Sequence, residues 1–275
     1  MVDRSRMLAR LALAAGLAAV PLGLAHADPL LAHRTSYVLS LDGTRPSQKL
    51  EGADGRIDYE MRGDACEGYT VKLRQTNQLD TGEGPSVSSE MLSTSWEDGS
   101  AAAYRFKTLS RQQDEVKSDV DATATRTDTG LSVKITKPRK ATVELTGKIL
   151  LPTEHLQRVI AAAKAGETVL EARVFDGSDD GVKVFDTLAV IGRAAKDEPG
   201  LPEAAKVALA GHTYHQTSVS YFEPGGSDQT PDYVMSFSLY DNGVIGALSI
   251  DYNDFVLRGR MEQFEPLKAS APCDK

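Results

Sequence analysis

The sequence predicts a mainly β, single-domain fold, and three observations lead there. Short segments rich in β-branched and aromatic residues, or alternating in polarity, recur along most of the chain between Gly, Asn, Asp and Pro turn signals. A single stretch carries a clear helical period. No linker, low-complexity tract or repeat of about 20 to 50 residues divides the pattern.

In chain order, the first element is an export signal. Arg4, Arg6 and Arg10 form a basic n-region, Leu11 to Leu24 is an apolar run, and Ala25-His26-Ala27 is a small-x-small cleavage site before Asp28. Residues 1–27 are therefore expected to be removed, leaving 28–275 as one domain. The apolar run is short for a membrane span, and cleavage before Asp28 leaves no N-terminal cysteine for a lipid anchor. The expected location is the bacterial periplasm, with no transmembrane span in the mature chain.

The strands follow. Thr35 to Leu41, Ile57 to Arg62, Gly68 to Leu79, Ser86 to Trp96, Ala102 to Leu109 and Leu131 to Thr136 read as strands, parted by turns such as Asp42-Gly43, Asp54-Gly55, Asp98-Gly99 and Thr129-Gly130. Ala141 to Leu151, Thr168 to Phe175 and Val182 to Ile191 continue them. Tyr233 to Leu239 alternates strictly, and Asp241-Asn242-Gly243 turns the chain into Val244 to Ile250 as a hairpin. Phe255 to Phe264 is the last strand. Within this meander Thr153 is read as a helix N-cap, Leu156, Val159, Ile160 and Ala163 as one apolar stripe, and Gly166 as the stop. Such a helix belongs either across the mouth or concave face of a curled sheet or on the outside of a sandwich. Pro202 to Leu209 is a second, weaker helical stretch.

Cys66 and Cys273 are the two cysteines, one near each end of the mature chain. In an exported protein this pair reads as one structural disulfide, and its wide spacing argues against a zinc or redox Cys-x-x-Cys site. Closing a loop of roughly 200 residues is worth on the order of 5 kcal/mol in the chain-entropy view.

Catalytic constellations are mostly missing. There is no Gly-x-Ser-x-Gly elbow, no phosphate loop (Gly147-Lys148 precedes Ile149), and no dinucleotide fingerprint. His212 and His215, three apart in an extended segment, fall on opposite faces and suit no shared metal. The pairs Asp179-Asp180 and Asp251/Asp254 sit at turns, where Asp has backbone reasons to be. A net charge of −8 disfavours nucleic-acid binding. Lys134, Lys137, Arg139 and Lys140 form a basic cluster suited to an exposed loop around Pro138, with anionic headgroups or an acidic partner as the alternatives. Trp96, Leu156 and Ile160 are the candidates to line an interior cavity, with core packing as the alternative for Trp96. No catalytic, cofactor-binding or metal-ligating residue is assigned.

Three stretches together resemble the alphaproteobacterial cell envelope integrity family of the EipB type: His33-Arg34-Thr35-Ser36-Tyr37, Asp64-Ala65-Cys66-Glu67-Gly68-Tyr69, and Leu151-Pro152-Thr153-Glu154-His155 followed by Val174-Phe175-Asp176-Gly177-Ser178. Tyr69 stands where many relatives have Trp. The resemblance implies an open, spiral-like antiparallel β-barrel of roughly 12 to 14 strands, tied by a disulfide at Cys66 and Cys273 and similar to periplasmic lipoprotein carriers. It also implies a role in envelope integrity with no established enzymatic activity, and no cofactor is expected. The expected function is non-enzymatic binding, in the curled sheet, of an apolar ligand such as an envelope lipid, of a lipoprotein or of another periplasmic protein. The alternative is a hydrolase of envelope glycans or lipids using Asp176 or Asp98 with His155.

Overall fold

The computed structural model describes residues 29–269 apart from 46, 48, 83, 179 and 226–229. The export signal, Cys273 and Asp179 lie outside the described residues. Among the described residues fifteen strands form one continuous sheet. They are β1 (His33–Leu41), β2 (Gly52–Asp64), β3 (Gly68–Asp80), β4 (Val87–Glu97), β5 (Ala103–Gln112), β6 (Glu115–Thr127), β7 (Gly130–Lys137), β8 (Ala141–Thr146), β9 (Ile149–Leu150), β10 (Val169–Phe175), β11 (Val184–Ala195), β12 (Tyr214–Phe222), β13 (Tyr233–Tyr240), β14 (Ile245–Asp251) and β15 (Val256–Pro266). Two helices complete the set: α1 (Pro152–Lys164) between β9 and β10, and α2 (Glu203–Ala208) between β11 and β12.

The strand order runs β8-β7-β6-β5-β4-β3-β2-β1-β15-β14-β13-β12-β11-β10-β9. All neighbours pair antiparallel except β9 with β10, which is parallel. β1 bonds both β2 and β15 along most of its length, joining the two halves of the chain. The ends of the sheet, β8 and β9, are consecutive in sequence, so the rolled sheet has a single seam. This is a nearly closed barrel with one unsealed seam.

Two cores hold it. The larger is built from inward side chains of β1–β3 and β11–β15, including Leu39, Met61, Val219 and Leu239, with Val159 and Ile160 of α1 and Ala205 of α2. The smaller explains how the seam is covered. Along β11, Phe185, Thr187, Ala189 and Ile191 are buried facing inward, so Val184 and its partner Phe175 belong to the outer face. Yet Phe175 is fully buried among Tyr104, Phe106, Val120, Ala124, Leu131 and Val133, which are inner-face residues of β5–β7. One end of the sheet therefore overlaps the outside of the other. Phe175 meets Tyr104 and Phe106 edge-on at centroid separations of 6.2 and 5.8 Å, a favourable quadrupolar geometry. At Gly177, with φ +69°, a Cβ would lie 2.2 Å from the Phe106 ring, so only glycine lets the β10–β11 loop lie flat on β5.

Among the described residues no ladder closes the seam, and side chains bridge it instead. Arg126 of β6 donates to Ile149 O at 2.7 Å, to Ala101 O at 3.1 Å and to Glu154 Oε2 at 2.6 Å. Arg173 of β10 reaches Thr146 O at 3.3 Å.

The structure revises several sequence expectations. Fifteen strands are found where 12 to 14 were expected. β6 was missed because its inward residues are mostly small (Val120, Ala122 and Ala124) among charged and Thr neighbours, a weak strand signal. The run Ala141 to Leu151, read as one strand, breaks at Gly147, where φ is +108°, into β8 and β9, the two edges of the seam. Helix α1 begins with Pro152 after an N-cap at Leu151, so Thr153 is not the cap.

Candidate functional site

The end of β4, the start of β3 and the β13–β14 turn meet α1 at one rim, the helical end of the barrel. Helix α1 spans this mouth: Gln157 Nε2 donates to Tyr69 Oη of β3 at 3.1 Å, and Lys164 Nζ donates to Asp241 O in the β13–β14 turn at 3.1 Å. Its apolar stripe packs into the larger core, with Ile160 buried and Leu156 partly buried. These two residues thus plug the helical end rather than line an open cavity.

The N-terminus of α1 is held by a residue to which the sequence reading assigns no role. Glu97, 2% exposed at the end of β4, accepts the Thr153 N–H at 2.7 Å and the Glu154 N–H at 2.8 Å. Two otherwise orphaned helix donors are satisfied by this remote carboxylate. Burial pushes the Glu97 pKa up to about 7, against the opposing pull of the two N–H donors. Trp96, its neighbour, faces the other way. Its indole donates to Glu67 O at 2.9 Å and Arg105 stacks over the ring at 5.0 Å on the outer surface. Trp96 is therefore not a cavity residue, and period-two alternation puts Glu97 inside in its place.

The opposite end of the barrel gathers aromatic side chains on its inner face. Inward side chains of β11–β13 and of the β14–β15 connection place Phe185, Tyr221, Tyr233, Tyr252 and Phe255 in one aromatic ladder. Tyr221 and Tyr233 are stacked at 4.4 Å, and Phe185 meets both edge-on at 5.6 and 5.8 Å. All but Phe185 keep partial exposure, yet burial drives the phenol pKa values of Tyr221, Tyr233 and Tyr252 upward. These rings pack against the larger core with part of each left exposed. On the facing strands, the inner face of β3–β5 carries a polar patch beside Leu73 and Leu79: Gln75 donates to Asn77, Asn77 to Ser89, and Ser93 bonds Thr108 at 3.1 Å. Sequence alternation pointed to this aromatic wall only as β-strand pattern.

A groove lies open at the seam. Because β9 is two residues long and α1 then veers away, a groove of about 560 Å³ is left beside β10, lined by Lys148, Leu150, Arg158, Leu170, Glu171, Ala172, Arg173, Asp186, Thr187, Leu188 and Phe222.

The other sequence candidates do not assemble. Asp98 sits in the β4–β5 turn at the helical rim, where it accepts from Ser100. Asp176 is in the β10–β11 loop, where its carboxylate takes the Ser178 N–H at 2.8 Å. His155 is buried with its pKa lowered to about 4 by desolvation. His212 Nδ1 lies 2.5 Å from Asp241 Oδ1, whereas His215 Nδ1 lies 2.9 Å from Gly192 O. Among the described residues no cluster of three or more His, Cys, Asp or Glu is placed to hold a metal ion, and no helix is long and apolar enough to cross a membrane. Cys66 lies exposed in the β2–β3 turn and is not a free thiol. The last described residues of the chain, Lys268 and Ala269, share a shallow groove with Arg62, Gly63, Glu67, Gly68 and Thr70 around that turn.

Comparison with known proteins agrees with this architecture. The chain is 31% identical over 245 residues to the cell envelope integrity protein EipB of Brucella abortus (strain 2308), covering 88% of this chain and 86% of that protein. The crystal structure of a β-barrel-like protein of a domain of unknown function from Brucella abortus superposes with a TM-score of 0.79 at 30% identity, covering 87% of this chain and 99% of that one. The EipB-like family model matches residues 24–268. With a sequence match over most of its length and the same rolled barrel, the chain belongs to the EipB-like family.

Proposed function

We propose that this protein works in the periplasm as a non-enzymatic binding protein that maintains cell envelope integrity, holding an apolar ligand or a partner's apolar segment in the lumen. The aromatic wall carries this reading. Partly exposed rings on a concave surface, facing a hydroxyl and amide wall, suit a guest with an apolar body and few charges. The relative's name, cell envelope integrity protein, supports the biological role. The export signal at residues 1–27 supplies the compartment, and a Cys66–Cys273 disulfide ties the tail to the β2–β3 turn.

The test fills the lumen. Ser93, partly exposed on the polar wall, is replaced in Ser93→Trp, and folding is checked by circular dichroism. The folded variant is expected to lose binding of the apolar dye N-phenyl-1-naphthylamine and to leave envelope integrity unrestored in a deletion strain. Full restoration by a folded Ser93→Trp protein would falsify the lumen reading.

A further inference from the structure

The seam groove offers backbone as well as side chains. Ile191 N donates to Thr168 O, and the antiparallel register pairs Leu170 with Ala189, Ala172 with Thr187 and Val174 with Phe185. Alternate residues of an antiparallel strand turn their N–H and C=O groups to the same neighbour. Thr168, Leu170, Ala172 and Val174 therefore face β11, and Val169, Glu171 and Arg173 face the seam. β9 pairs with β10 only at Arg173 and Val174. Val169 and Glu171 are left with unpaired backbone groups along the groove.

Unpaired edges invite another strand, and here the surroundings select it. The groove's deeper wall is apolar, from Leu150, Leu170 and Ala172. On the outer flank Val169 and its cross-strand partner Val190 are each 50% exposed. At the rim, Lys148 and Arg158 are exposed and have no ion-pair partner among the described residues, whereas Arg173 lies 3.1 Å from Asp186. Two uncompensated cations beside one acid, Glu171, give the slot a local positive balance in a chain of net charge −8.

We propose that the β10 edge takes a short, extended, acidic segment of a partner protein by strand addition. Backbone groups of Val169 and Glu171 pair with the incoming segment, its apolar side chain enters the slot over Leu150 and Leu170, and its carboxylates meet Lys148 and Arg158. Main-chain bonds supply affinity and the flanking side chains supply selectivity. The proposal rests on the reading of this protein as a binding protein and uses a surface separate from the lumen.

The test uses the full mature protein and a fluorescein-labelled acetyl-Asp-Val-Asp-Val-Asp-Val peptide, followed by fluorescence anisotropy. Saturable binding is expected to weaken with added salt and to be about tenfold tighter than that of the Lys-Val counterpart, as two rim charges allow. Glu171→Pro removes an N–H that serves no ladder bond in the fold, so the protein should stay folded while acidic-peptide affinity falls at least about fivefold. Lys148→Glu with Arg158→Glu should reverse the charge preference. Absence of acidic-peptide binding, or binding indifferent to both variants, overturns the proposal. So does competition of the groove by oleate in place of peptide, or a dimer lost in Glu171→Pro, which would assign the edge to a lipid or to a second copy. None of these outcomes touches Ser93→Trp, so the lumen reading stands or falls separately.

Discussion

The body of the barrel and the overlap at its seam bury the same kind of surface by different means. In the body, β1 is laddered on both sides and each neighbouring strand is fixed in register by backbone bonds. In the overlap, β5–β7 lie on Phe175, Val184, Ile149 and Leu151 with side-chain contacts alone, helped by Arg126 and Arg173. Separating two laddered strands breaks a row of hydrogen bonds together, whereas lifting the overlap breaks apolar contacts and a few arginine bonds. The overlap is thus the part able to open while the body stays folded, a local rather than global unfolding. Its cost is set by a handful of rings.

The largest effect belongs to the body. The proposed Cys66–Cys273 tie closes a loop of roughly 200 residues and stabilises by up to about 5 kcal/mol. Cys66→Ser with Cys273→Ser is expected to lower the melting temperature and raise proteolysis near the C-terminus while leaving the β signature in circular dichroism. An unchanged melting temperature on reduction sinks the staple.

Phe175→Ala probes the other side of the comparison. Removing this fully buried ring should cost about 3–5 kcal/mol, and the cost should fall on the overlap. Amide exchange is expected to speed up over residues 120–135 and 175–184 with β1 still protected. Leu39→Ala, in the body core, should accelerate exchange throughout at a cost of about 2–5 kcal/mol. If both variants speed exchange uniformly, the body and the overlap are one cooperative unit.

Glu97 links the two regions, since it joins the end of β4 to the start of α1. Its pKa is raised from 4.5 to about 7 in the fold, so between those values the folded protein holds a proton that the unfolded chain has released. Stability therefore falls as pH rises through that window, by at most about 3 kcal/mol. Buried His155, lowered from 6.5 to about 4, acts in the opposite sense, and stability falls as pH drops from 6.5 towards 4. The two slopes offset each other below pH 6.5. In Glu97→Gln the decline above pH 6.5 is expected to vanish and the acid-side loss to steepen, read from denaturant midpoints between pH 4 and 8. A profile identical to that of the parent refutes the assignment.

The smallest effect tests how closely the overlap is packed. Gly177→Ala must fit a Cβ against Phe106 at a positive φ, which should cost about 1–3 kcal/mol and speed exchange in the same segments as Phe175→Ala. Neutral behaviour would mean that the loop does not lie on β5.

Much of this molecule is local and so was legible in the sequence. Alternation fixed most strands, Asn242-Gly243 placed the β13–β14 hairpin, and the Leu156, Val159, Ile160 and Ala163 stripe found α1. Period-two patterning reports that one face is buried without saying against what, and tertiary structure decided the rest. Hydrophobicity favours Trp96 inside and Glu97 outside. The fold reverses them because a helix from 55 residues further along brings two unpaired N–H groups to Glu97. The break between β8 and β9 looks like a continuous strand because an edge is defined by the absence of a neighbour, which no local residue records. Phe175 read as a strand residue of unknown facing, and its burial on the outer side of β10 follows only once the sheet has rolled past its own edge.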